Sequence, residues 1–191
     1  MLLEMLLFIL RTIAGLMTGL FLLRFYMQWV QVGFYHRIGQ VVMGATNFAV
    51  KPLRRVLPGF WGIDWASLLS AYVVQLLFVG IISVILGVWS WVGIAIWAFF
   101  EFLKAGLALA SVVLLIWVIL SWVNPAAPAY EVLGALLKPM LAPLRRILPH
   151  WHGIDFSAML ALILIQLLYI MLRHMAQGVL PTYFNVPGLG L

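Results

Sequence analysis

The sequence contains no cysteine and very few charged residues. Without cysteine, the chain has no disulfide, no thiolate nucleophile and no cysteine-based metal site. Only 8% of the 191 residues are charged, whereas a soluble domain carries about a quarter, and 66% are hydrophobic. No water-soluble core of this size hides so much apolar surface. The composition therefore excludes a soluble domain and predicts a protein embedded in lipid.

Long apolar runs predict four membrane-spanning helices, because about 20 apolar residues cross the hydrocarbon of a bilayer. The chain is therefore predicted to be an all-α polytopic membrane protein. The predicted spans cover about residues 5–30, 65–87, 94–123 and 156–175. The tryptophan-rich residues 87–93 form the predicted turn between the second and third spans, and residues 176–191 form an uncharged tail.

Five charged side chains fall inside the predicted spans, where an unpaired charge is costly, and one of them, Arg173, lies near the end of the fourth span. Glu101 and Lys104 are three residues apart, so they are predicted to neutralise each other or to pair with Arg11. Arg24 is expected to snorkel towards the headgroups, and snorkelling is also the alternative for Arg11. Residues 15–19 begin and end with glycine, a spacing that lets two helices approach closely.

Residues 34–51 show helical periodicity, with apolar residues recurring on one side and polar residues between them. This pattern predicts an amphipathic helix lying in the membrane interface. The second half of the chain repeats the apolar face from Ala129 to Leu136. Pro128 lies near the start of that predicted helix, where a missing N–H costs no hydrogen bond.

A motif of 13 residues occurs twice, at 52–64 and at 143–155, without a gap and with an offset of 91 residues. Both copies keep a proline, an Arg-Arg pair, a second proline, a glycine and an aspartate, which indicates a shared role for these positions. The residues between the two prolines are long enough for about one helical turn of their own. The kept residues predicted to bind lipid or a partner are Pro52, Arg54, Arg55, Pro58 and Asp64, and Pro143, Arg145, Arg146, Pro149 and Asp155.

Each half of the chain is predicted to contain a span, an interfacial helix, the motif and a second span. The halves are residues 1–91 and 92–175, and two spans in each make them parallel repeats. The motif side collects seven of the eleven Lys and Arg residues, so the motif loops are predicted to be cytoplasmic and both termini to lie outside. These seven residues are Arg37, Lys51, Arg54, Arg55, Lys138, Arg145 and Arg146.

Two interpretations stay open for the arginine pairs and two for the motif aspartates. The arginines either fix topology by charge alone, which Lys would do equally well, or bind a phosphate or carboxylate through two parallel hydrogen bonds. Asp64 and Asp155 either cap the helix that follows or form ion pairs with the preceding arginines.

The motifs resemble those of the YggT (YlmG-like) family of bacterial and plastid inner-membrane proteins. The resemblance rests on the two Pro-Leu-Arg-Arg-(Val/Ile)-Leu-Pro-x3-Gly-Ile-Asp copies, on Lys51, and on the Asn-Pro and Lys-Pro pairs at 124–125 and 138–139, and it covers nearly the whole chain. It implies a small multi-spanning protein without established catalytic activity, associated with osmotic-stress tolerance, potassium accumulation, and cell division or nucleoid organisation. Family members more often carry a proline soon after the residue equivalent to Asn47.

The sequence predicts no catalytic residue, cofactor or metal site. His150, His152 and Asp155 suggest a metal site, but the first copy has Gly59 and Trp61 at the two histidine positions. There is no Ser-His-acid arrangement, phosphate-binding glycine loop or pair of carboxylates. The net charge of +6 is carried between hydrophobic segments, which favours anionic headgroups over nucleic acid as the partner.

Two classes of function are compatible with this pattern. The first is a membrane organiser or assembly factor that contacts lipid or a membrane or cytoplasmic protein, with homo-oligomers allowed. The alternative is a component of potassium transport, in which Arg11, Glu101 and Lys104 line a path. Scattered charges without a broken helix make a poor path, so the organiser is favoured.

Overall fold

The computed structural model of the chain describes residues 1–57, 59, 63–147 and 156–184. The described residues form six helices, which confirms the all-α class. The helices are α1 (Leu2–Trp29), α2 (Arg37–Val56), α3 (Trp65–Ile85), α4 (Trp91–Val123), α5 (Pro128–Ile147) and α6 (Phe156–Phe184). Four of them, α1, α3, α4 and α6, are long and apolar enough to cross a membrane, at the predicted positions.

α6 is longer than predicted, because it continues through the first part of the predicted tail to Phe184. The ring of Phe184 packs edge-on against Trp97 of α4, with 5.7 Å between ring centroids. This contact is possible because residue 93 is glycine: a Cβ there would lie 2.9 Å from Cζ of Phe184. Packing against α4 thus stabilises the last turns of α6, although glycine and proline in this stretch disfavour a helix.

The two shorter helices, α2 and α5, are the predicted amphipathic helices, but each runs further than expected. α2 continues through Pro52 to Val56, and α5 continues through Pro139 and Pro143 to Ile147. The predicted separate helical turn after Pro52 is therefore the last turn of α2. A proline removes one backbone hydrogen bond, and near the bilayer surface water or headgroups can satisfy the carbonyl that it leaves free.

The spanning helices pack as neighbours in the order α1, α3, α4, α6, and α1 also contacts α4. The predicted turn between α3 and α4 is confirmed, with Gly87 in the left-handed region at φ +67°. Gly15 and Gly19 make no close helix contact, since a Cβ on either would meet no atom within 4 Å. The glycine spacing at residues 15–19 is therefore not used for a close approach between the described helices.

Both amphipathic helices lie at the same end of the bundle. α2 packs against α1 and α3, and α5 packs against α4 and α6. The hydroxyl of Tyr26, near the end of α1, donates a hydrogen bond to the carbonyl of Leu136 in α5 at 2.7 Å. This bond joins the end of α1 directly to α5, so the motif residues on α2 and those on α5 share one side of the protein.

Candidate functional site

The centre of the first motif is the buried carboxylate of Asp64. Asp64 is the N-cap of α3, where its Oδ1 accepts a hydrogen bond from the backbone N–H of Ser67 at 3.4 Å. The hydroxyl of Ser67 donates to Oδ2 at 2.6 Å. Only 2% of Asp64 is exposed. The prediction that Asp64 caps the next helix is confirmed, since both groups belong to the first turn of that helix.

Asp64 is at the same time the ion-pair partner of Arg54, which lies in the last turn of α2. Nη2 of Arg54 is 2.6 Å from Oδ2 of Asp64, and Nε is 3.3 Å from Oδ1. Nη2 also donates to Oε1 of Gln28 in α1 at 2.9 Å. The two interpretations of Asp64, cap and ion pair, therefore hold together. The result is a clamp that joins the end of α2 to the start of α3.

A second arginine, Arg24 of α1, completes this group and was wrongly expected to snorkel. Arg24 is only 4% exposed, and its Nη1 donates to Oγ1 of Thr46 at 2.7 Å and to Oδ1 of Asn47 at 3.0 Å. Its Nε has no hydrogen-bond partner among the described residues and lies 3.8 Å from Oδ2 of Asp64. α2 packs against α1 and supplies polar groups at this depth, so the guanidinium has no need to reach the headgroups.

The group formed by Arg24, Arg54, Asp64 and Ser67, here called the Asp64 cluster, carries one excess positive charge. Burial raises the pKa of Asp64, but hydrogen bonds from Arg54 and Ser67 lower the pKa more, so it lies below its ordinary value. The carboxylate is therefore ionised at neutral pH. The single carboxylate of Asp64 lies between two guanidiniums and offsets their repulsion. Removing it would leave two positive charges close together, one of them buried.

The other described residues of the first motif lie outside this cluster. Arg55 and Pro52 are exposed on α2, as is the neighbouring Lys51. Arg55 makes no ion pair with any residue that the structure describes. Pro58 lies outside the described residues. The motif arginines thus differ in role, since Arg54 is engaged by the chain itself and Arg55 faces outwards.

The second motif has a different environment. The guanidinium of Arg145 lies over the ring of Trp117, with 5.6 Å between Cζ and the ring centroid, and Trp117 stacks on Tyr130. Arg146 and Pro143 are exposed, whereas Pro149 and Asp155 lie outside the described residues.

The 91-residue offset also shows that three polar residues around Asp64 have apolar equivalents in the second half, although Arg145 stands at the position of Arg54. Leucine or alanine stands at the positions equivalent to Arg24, Thr46 and Ser67: these are Leu115, Leu137 and Ala158. Arg24, Thr46 and Ser67 are thus specific to the first half. Arg24 was noticed in the sequence but was not assigned to this site, because its partners Thr46 and Asn47 lie on the next helix, 22 and 23 residues away.

Glu101 and Lys104 form an ion pair with each other, which is one of the two predicted alternatives. Nζ of Lys104 is 2.6 Å from Oε1 of Glu101, and the indole N–H of Trp97 donates to the same oxygen at 3.2 Å. Both charged residues are buried. Arg11 is exposed on α1 and forms no ion pair with the residues described here, so the alternative pairing with Arg11 is wrong.

The histidines of the second motif, His150 and His152, lie outside the described residues. In the part of the chain that the structure describes, no three His, Asp or Glu side chains come together in a way that would hold a metal ion.

Four apolar helices, two amphipathic helices at one end and a charged cluster beneath them define a multi-spanning membrane protein. The model of the CCB3/YggT family matches residues 3–86 and 96–176, so the chain belongs to this family. It is 38% identical over 184 residues to an Escherichia coli K12 protein named "Uncharacterized protein YggT", with 95% of each chain covered. An uncharacterized Pseudomonas aeruginosa protein is 37% identical over 173 residues, covering 85% of this chain and 87% of its own. No solved structure matches the chain significantly.

Proposed function

We propose that the protein is a non-enzymatic organiser or assembly factor of the bacterial inner membrane, and that its basic interfacial face binds anionic lipid headgroups. The observation that carries this proposal is the division between the two motif arginines. Arg54 is held by Asp64, whereas Arg55 is exposed next to Lys51 on the outer side of α2. An exposed guanidinium at the end of an interfacial helix is well suited to a phosphate, which it can bind through two hydrogen bonds.

The Asp64 cluster supports this role by fixing where the basic face lies. It ties α2 to both α1 and α3 through side-chain hydrogen bonds. An interfacial helix held in this way presents its arginines at a constant depth, which a headgroup-binding surface needs. α5 adds the exposed Arg146 and Lys138 on the same side of the protein.

We further propose that this basic face is cytoplasmic and that both termini lie outside. The support is the excess of Lys and Arg on the motif side. The cytoplasmic leaflet of a bacterial membrane is rich in anionic lipid, which matches the charge of the face. The roles in osmotic-stress tolerance or cell division that the family resemblance suggests are part of this proposal.

The test compares the outward arginines with lysine. Arg55 and Arg146 are both changed to Lys, and Arg37, a basic residue of α2 outside the motif, is changed to Lys as the control. We expect the double variant to insert normally but to retain several-fold less phosphatidylglycerol on purification in detergent, because ammonium offers a point charge instead of two parallel bonds. It should also complement a deletion poorly under hyperosmotic growth.

Three outcomes would count against the proposal. Equal lipid retention and full complementation by the double Lys variant would mean that the arginines only set topology. Potassium flux through the reconstituted protein, above that of empty vesicles, would favour the transport alternative. If the variant binds lipid normally but fails to complement, an acidic protein partner replaces lipid as the ligand of this face.

A further inference from the structure

Gln166 is a polar side chain that faces lipid near the middle of α6. It is exposed, and it forms no hydrogen bond with the residues that the structure describes. It lies ten residues after Phe156, which places it about 15 Å into the helix and close to the centre of a hydrocarbon layer about 30 Å thick. A primary amide without a hydrogen-bond partner is unfavourable at this depth.

The first half of the chain shows what a glutamine at this position can do when it has a partner. Gln75 is the equivalent residue in α3, and its Nε2 donates to Oγ1 of Thr18 in α1 at 3.0 Å. The residue equivalent to Thr18 in the second half is Leu109, which offers no hydrogen bond. The second half therefore keeps the glutamine but has leucine in place of the threonine, so Gln166 has no partner in the part of the chain that the structure describes, and a second molecule can supply one.

The residues around Gln166 form a continuous seam that no described part of the chain covers. The seam consists of Met159, Ile163, Gln166 and Ile170, spaced by four, three and four residues. Its apolar members are 56%, 48% and 48% exposed. Residues spaced alternately by three and four positions lie along one side of a helix, where a second helix crossing at a small angle contacts it. The buried side of α6 is a different one, formed by small residues such as Ala158 and Ala161.

We infer that this seam packs against the same seam of a second copy of the chain, with the two Gln166 amides hydrogen-bonded to each other. A primary amide is both donor and acceptor, so it is complementary to itself. All copies insert with the same orientation, and a two-fold axis along the membrane normal places each Gln166 opposite its counterpart. Arg173 follows Ile170 by three residues and so lies at the end of the seam. Two copies of this charge would repel each other, so we expect the helices to diverge towards Arg173 and to approach most closely near Gln166.

The absence of cysteine makes a cross-linking test direct, since any introduced cysteine is the only one. Ile170→Cys and Met171→Cys are compared in the full-length protein in native membranes under mild oxidation. The two residues are adjacent and similarly exposed, at 48% and 50%, but point about 100° apart around the helix. We expect a disulfide-linked dimer of the chain with Ile170→Cys and little or none with Met171→Cys.

The role of the amide is tested in the Ile170→Cys background. Gln166→Leu should weaken the dimer by about 3- to 30-fold in dissociation constant, measured by energy transfer on dilution into lipid vesicles, whereas Gln166→Asn should retain most of it. Equal cross-linking at residues 170 and 171, or a dimer unchanged by Gln166→Leu, would overturn the inference. Cross-linking of residue 170 only to a different protein would overturn the choice of partner.

Discussion

Replacing Asp64 with alanine removes the carboxylate that both caps α3 and pairs with Arg54. Asp64 is 2% exposed and Arg24 is 4% exposed, so the change leaves a buried guanidinium beside a second positive charge. Losing a helix cap costs about 1 kcal/mol, and breaking a buried ion pair costs about 3 to 5 kcal/mol. We therefore expect Asp64→Ala to lower the free energy of unfolding by about 4 to 6 kcal/mol.

The excess charge of the cluster makes a second change informative. Arg24→Leu copies the residue that the second half carries at position 115 and leaves the Arg54–Asp64 pair intact. It loses two hydrogen bonds, to Thr46 and Asn47, worth about 1 kcal/mol each, but also removes a buried charge. We expect a cost below about 2 kcal/mol. Added to Asp64→Ala, it should restore part of the lost stability.

The assay is reversible unfolding of the purified protein by SDS in mixed micelles, for the two single variants and the double variant. Coupling through the buried charges predicts that the double variant is less destabilised than the sum of the singles. Arg54→Ala serves as a comparison, and its effect should be smaller than that of Asp64→Ala because the Arg54 side chain is 43% exposed. Strict additivity, or a double variant less stable than either single, would refute the account of the cluster.

Three further predictions test other parts of the protein. Lys104→Ala should destabilise the protein more than the Glu101→Ala, Lys104→Ala double change, because the single change leaves a buried carboxylate without the ammonium that lies 2.6 Å away. Additive effects in the same SDS assay would argue against the pair. Gly93→Ala should lower the midpoint of thermal unfolding, since its methyl would lie 2.9 Å from a ring carbon of α6, whereas Gly80→Ala, with no atom within 4 Å, should not; equal midpoints would mean that α6 does not pack there. Alkaline phosphatase fused after the last residue should be active, because we expect that end outside the cytoplasm, and an inactive fusion together with a fluorescent cytoplasmic reporter at the same point would reverse the orientation.

The sequence by itself was sufficient to predict the helices. Hydrophobic runs of about 20 residues with few charges are typical of membrane-spanning helices, and apolar residues recurring every three to four positions favour an amphipathic helix. The four spans and the two amphipathic helices therefore follow from local composition. The errors lie at helix ends, where packing and interfacial hydration extended α2 past Pro52 and α6 to Phe184.

Part of the candidate site was also readable in the sequence, because the repeated motif marked Arg54 and Asp64. What the sequence could not decide was which group each side chain meets. Arg24 lies 22 residues from Thr46 along the chain, and only the packing of α2 on α1 brings the two within 2.7 Å. Gln75 and Gln166 occupy the same position of the repeat, yet one is buried against a threonine and the other is exposed on the surface of the chain. A side chain's partner depends on the packing of helices distant in sequence, so the tertiary structure alone decided which polar groups are satisfied inside the chain.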